Sequence, residues 1–165
     1  MAILRPAFLC LMLAWALLAP HAAQALGVND KASLPDASLV DGQMLRAADL
    51  QGKVVLVAFW ATWCPVCVRE MPDLEKLHQT YAARGFAIVA VSLDDSVKEV
   101  KDYLRTAGLS FPVTMASDAW RGSFGAIRGT PTLFLIDRHG TVRGKYVGRL
   151  TGRQYAEIRA LAEAP

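Results

Sequence analysis

Lys53 to Trp60, KVVLVAFW, constrains this chain more than any other stretch. After the single lysine every side chain is apolar, and most are β-branched or aromatic. A strand with one wet face would alternate apolar with polar residues. An unbroken run instead fits a strand covered on both faces. Phe86 to Leu93, FAIVAVSL, repeats the pattern. Two such strands need layers packed above and below them, which is the plan of an α/β domain.

The segments between supply those layers. Met71, Leu74, Leu77 and Tyr81 recur at helical spacing and stop at Gly85. Ser96 and Glu99 have capping-box spacing, and Val97, Val100, Leu104 and Ala107 form one stripe up to Gly108. Phe111–Ala116 reads as a short strand and Asp118–Ile127 as a short helix. Pro131–Asp137 and Thr141–Gly148 form a hairpin through Arg138-His139-Gly140. Thr151 and Gln154 open a last helix by a second capping box, with Tyr155, Ile158 and Leu161 turned inward. Before the first long strand, Asp41-Gly42 signals a small hairpin. The order predicts a central mixed β-sheet with helices on both faces and an antiparallel edge.

The N-terminus is read separately. Arg5 precedes an apolar run, Ala7–Ala19; Pro20 and His21 break it, and Ala23-Gln24-Ala25 closes with small residues. This is the layout of a secretory signal cleaved after Ala25, and the run is short of the roughly 20 residues that span a bilayer. An uncleaved membrane anchor is the alternative. A lipoprotein signal is not expected, because Phe8 and Leu9, not small residues, precede Cys10. The expected organisation is a signal over 1–25, a flexible lead-in over 26–38 and one domain over 39–165. The periplasm is the expected location. Without Arg5 the chain carries 17 Lys+Arg against 15 Asp+Glu. The basic residues are scattered singly, which excludes a nucleic-acid footprint.

Export sharpens the meaning of Cys64 and Cys67, the only cysteines beyond Cys10. A bridge across two residues closes too small a loop to restrain the unfolded chain much, so a structural staple is excluded. The strand runs straight into the cysteines and the helical period begins just after them. Cys64 therefore lies at a helix N-terminus, where free N–H groups and the dipole favour a thiolate, the attacking species in disulfide exchange. Cys67, one turn inside, is placed to attack the mixed disulfide and release the partner. Pro65 suits the first helical position. A metal clamp normally needs a second Cys pair or paired histidines. His78 and His139 are both expected as solvated surface residues. Transient copper binding by the two thiolates stays open. No cofactor is expected beyond the redox-active cysteine pair itself.

FWATWCPVCVREMP, VSLDD and GTPTLFLID together resemble the exported, TlpA/ResA-like branch of the thioredoxin superfamily, from about Leu39 to Leu161. The resemblance implies a thioredoxin fold with an N-terminal β-hairpin extension and an inserted helix and strand. It implies a cis peptide at Thr130-Pro131, beside the cysteines and lining a groove for an extended substrate chain. It makes Glu70 the acid beneath the cysteines, its pKa raised by apolar surroundings. Cytoplasmic thioredoxins hold a buried Asp where this chain has Ala58, so proton handling passes to Glu70. Trp63 becomes a contact for partner proteins, with Pro65 and Val66 on the same substrate-facing side, and Pro72 a kink in the first helix. The implied clients are disulfide-bearing proteins, such as apocytochrome c or copper-site assembly proteins. The implied electron source is a membrane donor of the DsbD/CcdA kind, and a monomer is the expected state.

The departures lie at the cysteines. The family commonly puts proline directly before the second cysteine; here the order is Cys64-Pro65-Val66-Cys67. Proline first is shared with the oxidase DsbA, but Val66 offers no histidine charge to a thiolate. Val68 replaces a frequent Lys or Arg. These changes bear on the reduction potential and leave the reaction class unchanged. Reduction of client disulfides is the leading expectation. An oxidase or isomerase, or a non-enzymatic Cu(I) carrier on the same cysteines, are the alternatives. Peroxidase chemistry ranks last, because Thr62 lies two residues before Cys64 instead of three.

Overall fold

The computed structural model describes residues 25–164. The body of the expected signal segment, residues 1–24, lies outside them. The strands are β1 (Ala37–Ser38), β2 (Met44–Leu45), β3 (Val54–Trp60), β4 (Phe86–Ser92), β5 (Val113–Met115), β6 (Thr132–Ile136) and β7 (Val142–Val147). The helices are α1 (Pro65–Tyr81), α2 (Val97–Ala107), α3 (Asp118–Phe124) and α4 (Gly152–Glu163). Among the described residues no helix is long and apolar enough to cross a membrane.

Strands β1 and β2 form the hairpin signalled by Asp41-Gly42. The other five make one mixed sheet in the order β5-β4-β3-β6-β7. Strand β3 is central, parallel to β4 and antiparallel to β6, and all seven of its residues are buried. Its alternate residues serve two cores. Val54, Leu56, Ala58 and Trp60 pack with α1, with Val100 of α2 and with Ile158 and Ala162 of α4. Val55, Val57 and Phe59 pack on the other face with Trp120 and Phe124 of α3. Phe59 meets the rings of Trp120, Phe124 and Phe134 edge-on. The unbroken apolar run thus has the double burial that its composition requires.

Strand β7 does alternate, with Val142, Gly144 and Tyr146 buried and Arg143, Lys145 and Val147 outward. Gly144 is dictated by packing: a Cβ there would collide with the Tyr146 hydroxyl oxygen. That hydroxyl donates to Glu157 of α4 at 3.1 Å.

Three expectations change. Residues 26–38 do not form a free lead-in. Asn29 N donates to Val142 O, Val142 N to Asp30 O, and Ala32 N to Gly140 O, all at 2.8–2.9 Å. Leu26 is buried in the second core, and Lys145 Nζ donates to its carbonyl at 2.9 Å. The segment pairs with the start of β7, at Val142, whose backbone groups would otherwise stand free at the sheet edge. Backbone pairing of this kind leaves no side-chain period to read. Ser96 is the N-cap of α2, but its side chain makes no capping bond, and Val97 is exposed instead of facing the core. His78 is half-buried, edge-on to Phe111 at 5.9 Å between ring centres, with Nδ1 buried and unpartnered. Its neighbour from the loop before β5 covers it, and burial pulls its pKa down against the nearby Glu75 carboxylate. His139 is exposed as expected. The second capping box, Thr151 with Gln154, is closed in both directions.

Candidate active site

Strand β3 delivers the chain to the cysteines beyond its C-terminal end, at one end of the sheet. Cys64 is the N-cap of α1 with extended backbone, and Pro65 occupies the first helical turn, where its missing N–H removes no helix bond. Cys64 and Cys67 form a disulfide, with Cα atoms 5.3 Å apart. The Cys67 amide donates to Cys64 Sγ at 3.2 Å. The same N–H and the positive end of the α1 dipole would face a Cys64 thiolate on reduction, stabilising the charged sulfur. Cys64 retains 6% of its surface and Cys67 1%, so the outer sulfur belongs to the capping residue.

Opposite the disulfide, the Thr130–Pro131 peptide is cis. Cys64 Sγ lies 3.7 Å from Thr130 O. The loop is pinned on both sides: Thr132 Oγ1 donates to Gly129 O at 2.7 Å, and Gly148 N to Pro131 O at 2.8 Å. Trp63 stands 65% exposed beside the cysteines, Pro65 is exposed and Val66 half-buried. The structure therefore brings Trp63, Cys64, Pro65, Val66, Cys67, Thr130 and Pro131 to one end of the sheet.

Glu70 lies one turn beyond Cys67 on the same face of α1 and is 1% exposed. Leu150 N donates to its Oε1 at 2.8 Å and Tyr155 OH to the same oxygen at 3.1 Å. Oε2 is buried without a partner. Burial pushes the carboxyl above its ordinary range, and the two donors and Arg149 pull only part of the way back. The raised pKa expected of this position is present, and its cause is desolvation.

A second carboxylate shapes the site and carries no role in the sequence reading. Asp94, buried after β4, accepts from Thr62 N at 3.0 Å, from Thr62 Oγ1 at 2.5 Å and from Ser92 Oγ at 2.7 Å. It fixes the turn between β3 and Cys64. No local signal marks it, because Thr62 lies 32 residues earlier and is brought beside it by the parallel register that sets Trp60 beside Ser92. Leu150 and Tyr155 were equally missed, because their contacts with Glu70 cross 80 and 85 residues of chain. Among the described residues no group of three or more His, Cys, Asp or Glu side chains is placed to hold a metal ion.

Comparison with known proteins agrees with this geometry. The Redoxin family model matches residues 28–161. The chain is 32% identical over 145 residues to the thioredoxin-like protein YneN of Bacillus subtilis, covering 85% of this chain and 84% of that one. It is 34% identical over 122 residues to the thiol-disulfide oxidoreductase ResA of Halalkalibacterium halodurans, covering 74% and 69%. Among solved structures, a thiol:disulfide interchange protein of the thioredoxin family from Chlorobium tepidum superposes with a TM-score of 0.73 at 33% identity, over 84% of this chain and 99% of that one.

Proposed function

Because the chain belongs to the Redoxin family, has a thioredoxin fold and is a thiol–disulfide oxidoreductase, we propose that it works in the reducing direction, on disulfides of client proteins in the periplasm. The observation that carries this reading is the seat of the disulfide: it caps α1 and touches the carbonyl that precedes the cis-proline. An extended client chain laid along Thr130 and Pro131 would bring its own disulfide to Cys64.

In the reduced protein the Cys64 thiolate attacks one client sulfur. A mixed disulfide forms, and the other client sulfur leaves with the electron pair and takes up a proton. Cys67 then gives up its proton and attacks Cys64 Sγ. The intramolecular disulfide returns and the second client thiol is released. Glu70 accepts the Cys67 proton: it is buried, one turn away, and its raised pKa suits exchange nearer neutrality than a free carboxyl allows. Trp63, Pro65 and Val66 supply the apolar rim against which the client chain rests. A membrane donor of the DsbD/CcdA kind recharges the pair by the same exchange run from its own dithiol. Apocytochrome c and copper-site assembly proteins are the client classes proposed.

Cys67→Ser removes the resolving thiol, so clients should accumulate as mixed disulfides on Cys64 in the exported fraction. A complete absence of trapped partners counts against the reading. The Cys64–Cys67 potential sets the direction. A value near thioredoxin's, about −270 mV, supports a reductase, and one near DsbA's, about −120 mV, reverses it.

A further inference from the structure

Between α1 and α4 a cleft of about 450 Å³ opens to solvent, with Asp73, Lys76, Tyr81, Tyr155 and Arg159 among its walls. It lies away from the groove beside the cis-proline. Of these side chains only Tyr155 also bonds to Glu70, at 3.1 Å. One phenol therefore spans the distance from an open cleft to a carboxyl that is 1% exposed.

We propose that Tyr155 is a positioning residue for Glu70: its hydroxyl holds Oε1 of the buried carboxyl in place and so keeps Oε2 free for the incoming proton. The inference rests on the reading of Glu70 as the group that takes the Cys67 proton. Leu150 N, the other donor to that oxygen, is main chain, so the Tyr155 hydroxyl is the side-chain contact that a substitution can remove. With Oε1 already taking two donors, Oε2 is the oxygen left free to receive a proton.

The step balances without a further reactant. Cys67 loses a proton to the Glu70 carboxylate as its sulfur bonds to Cys64 and the client sulfur departs with the electron pair. When the pair is re-reduced the acid returns that proton to Cys67, while Tyr155 keeps its own and goes on donating to Oε1. The phenol stays neutral throughout, because burial and the neighbouring carboxylate hold it above the ordinary phenol range. The charges facing the pair from α1 and from the loop before α4 are Asp73 and Arg149. They lie 3.7 Å from each other and act on Glu70 in opposite directions. Lys76 and Arg159 also line the cleft, and Lys76 pairs with Asp73 at 3.3 Å.

The test follows the rate at which the reduced full-length protein reduces glutathione disulfide as a function of pH. Wild type, Tyr155→Phe, Glu70→Gln and the double variant are compared. Phenylalanine removes a donor that favours the ionised carboxyl, so the midpoint of the profile should move up by about one pH unit. In the Glu70→Gln background the same change should move nothing. Infrared titration of the protonated-carboxyl band, absent in Glu70→Gln, should show the same upward shift without turnover. A Tyr155→Phe profile superimposed on wild type, with Glu70→Gln displaced, overturns the assignment of Tyr155 alone. Superposition of both variants on wild type overturns the reading of Glu70 and this inference with it.

Discussion

Glu70 and Glu75 lie five residues apart on α1 and are 1% and 7% exposed. Burial costs both of them solvation, yet their carboxyls are displaced in opposite directions. At Glu75 desolvation is outweighed. Oε1 accepts from Ser110 Oγ at 2.5 Å and from Gln79 Nε2 at 2.8 Å, and Oε2 accepts from Ser110 N at 2.9 Å. These donors favour the charged form and hold the carboxyl below its ordinary range. At Glu70 both donors reach one oxygen and the other has none, so desolvation wins. Fewer donors, together with its deeper burial, separate Glu70, which can exchange a proton, from Glu75, which ties α1 to the loop before β5.

The largest test of that contrast is kinetic. Glu70→Gln should slow disulfide reduction at neutral pH by about a hundredfold, the usual loss on removing a positioned acid–base group. Its thermal midpoint should not fall, because a neutral amide replaces a group that resists ionisation. Glu75→Gln, assayed in parallel, should leave turnover unchanged; an equal slowing in both variants erases the distinction. Next in size is Glu75→Ala, which strips the partner from both donors of Ser110 and from Gln79. Urea titration should show a loss of about 2 kcal/mol with the rate unaffected.

What the sequence made legible divides along the same line. The central strand β3, the start of α1 at Cys64 and the reversal at Gly85 follow from local composition, because apolar runs, caps and breakers act over a few residues. The cis-proline and the role of Glu70 came only through resemblance to a family. Glu75, Asp94 and Tyr155 were beyond local reading. Each owes its role to partners 32 to 85 residues away. Tyr155 in particular has the position of an ordinary core residue on an amphipathic helix; only its hydroxyl contact distinguishes it. Residues 26–38 misled for a different reason, since a strap held by backbone bonds places no demand on side-chain order.

Acid titration reads the contrast through stability. Glu75, with a depressed folded pKa, contributes stability that is present above its ordinary value of 4.5 and is lost as pH falls through the folded pKa. Glu70, with a raised folded pKa, acts oppositely: its contribution is complete below 4.5 and fades as pH rises through the folded value. Urea midpoints from pH 3 to pH 8 should therefore show Glu75→Gln losing stability relative to wild type on the neutral side, with the gap closing in acid. Glu70→Gln should gain on the neutral side. Gaps of the same sign in both variants break the comparison.

The smallest effect should come from Gln79→Ala. Its side chain is exposed and supplies one of the three donors to Glu75. Removing it should cost about 0.5 kcal/mol in urea titration at neutral pH, since Ser110 still reaches both oxygens and water replaces the amide. The loss should shrink below 4.5, where a protonated Glu75 gains less from any donor. A loss as large as that of Glu75→Ala would mean that one surface amide holds the carboxylate. Glu75 would then be no better supported than Glu70, and the opposite displacement of the two carboxyls would need a cause other than donor count.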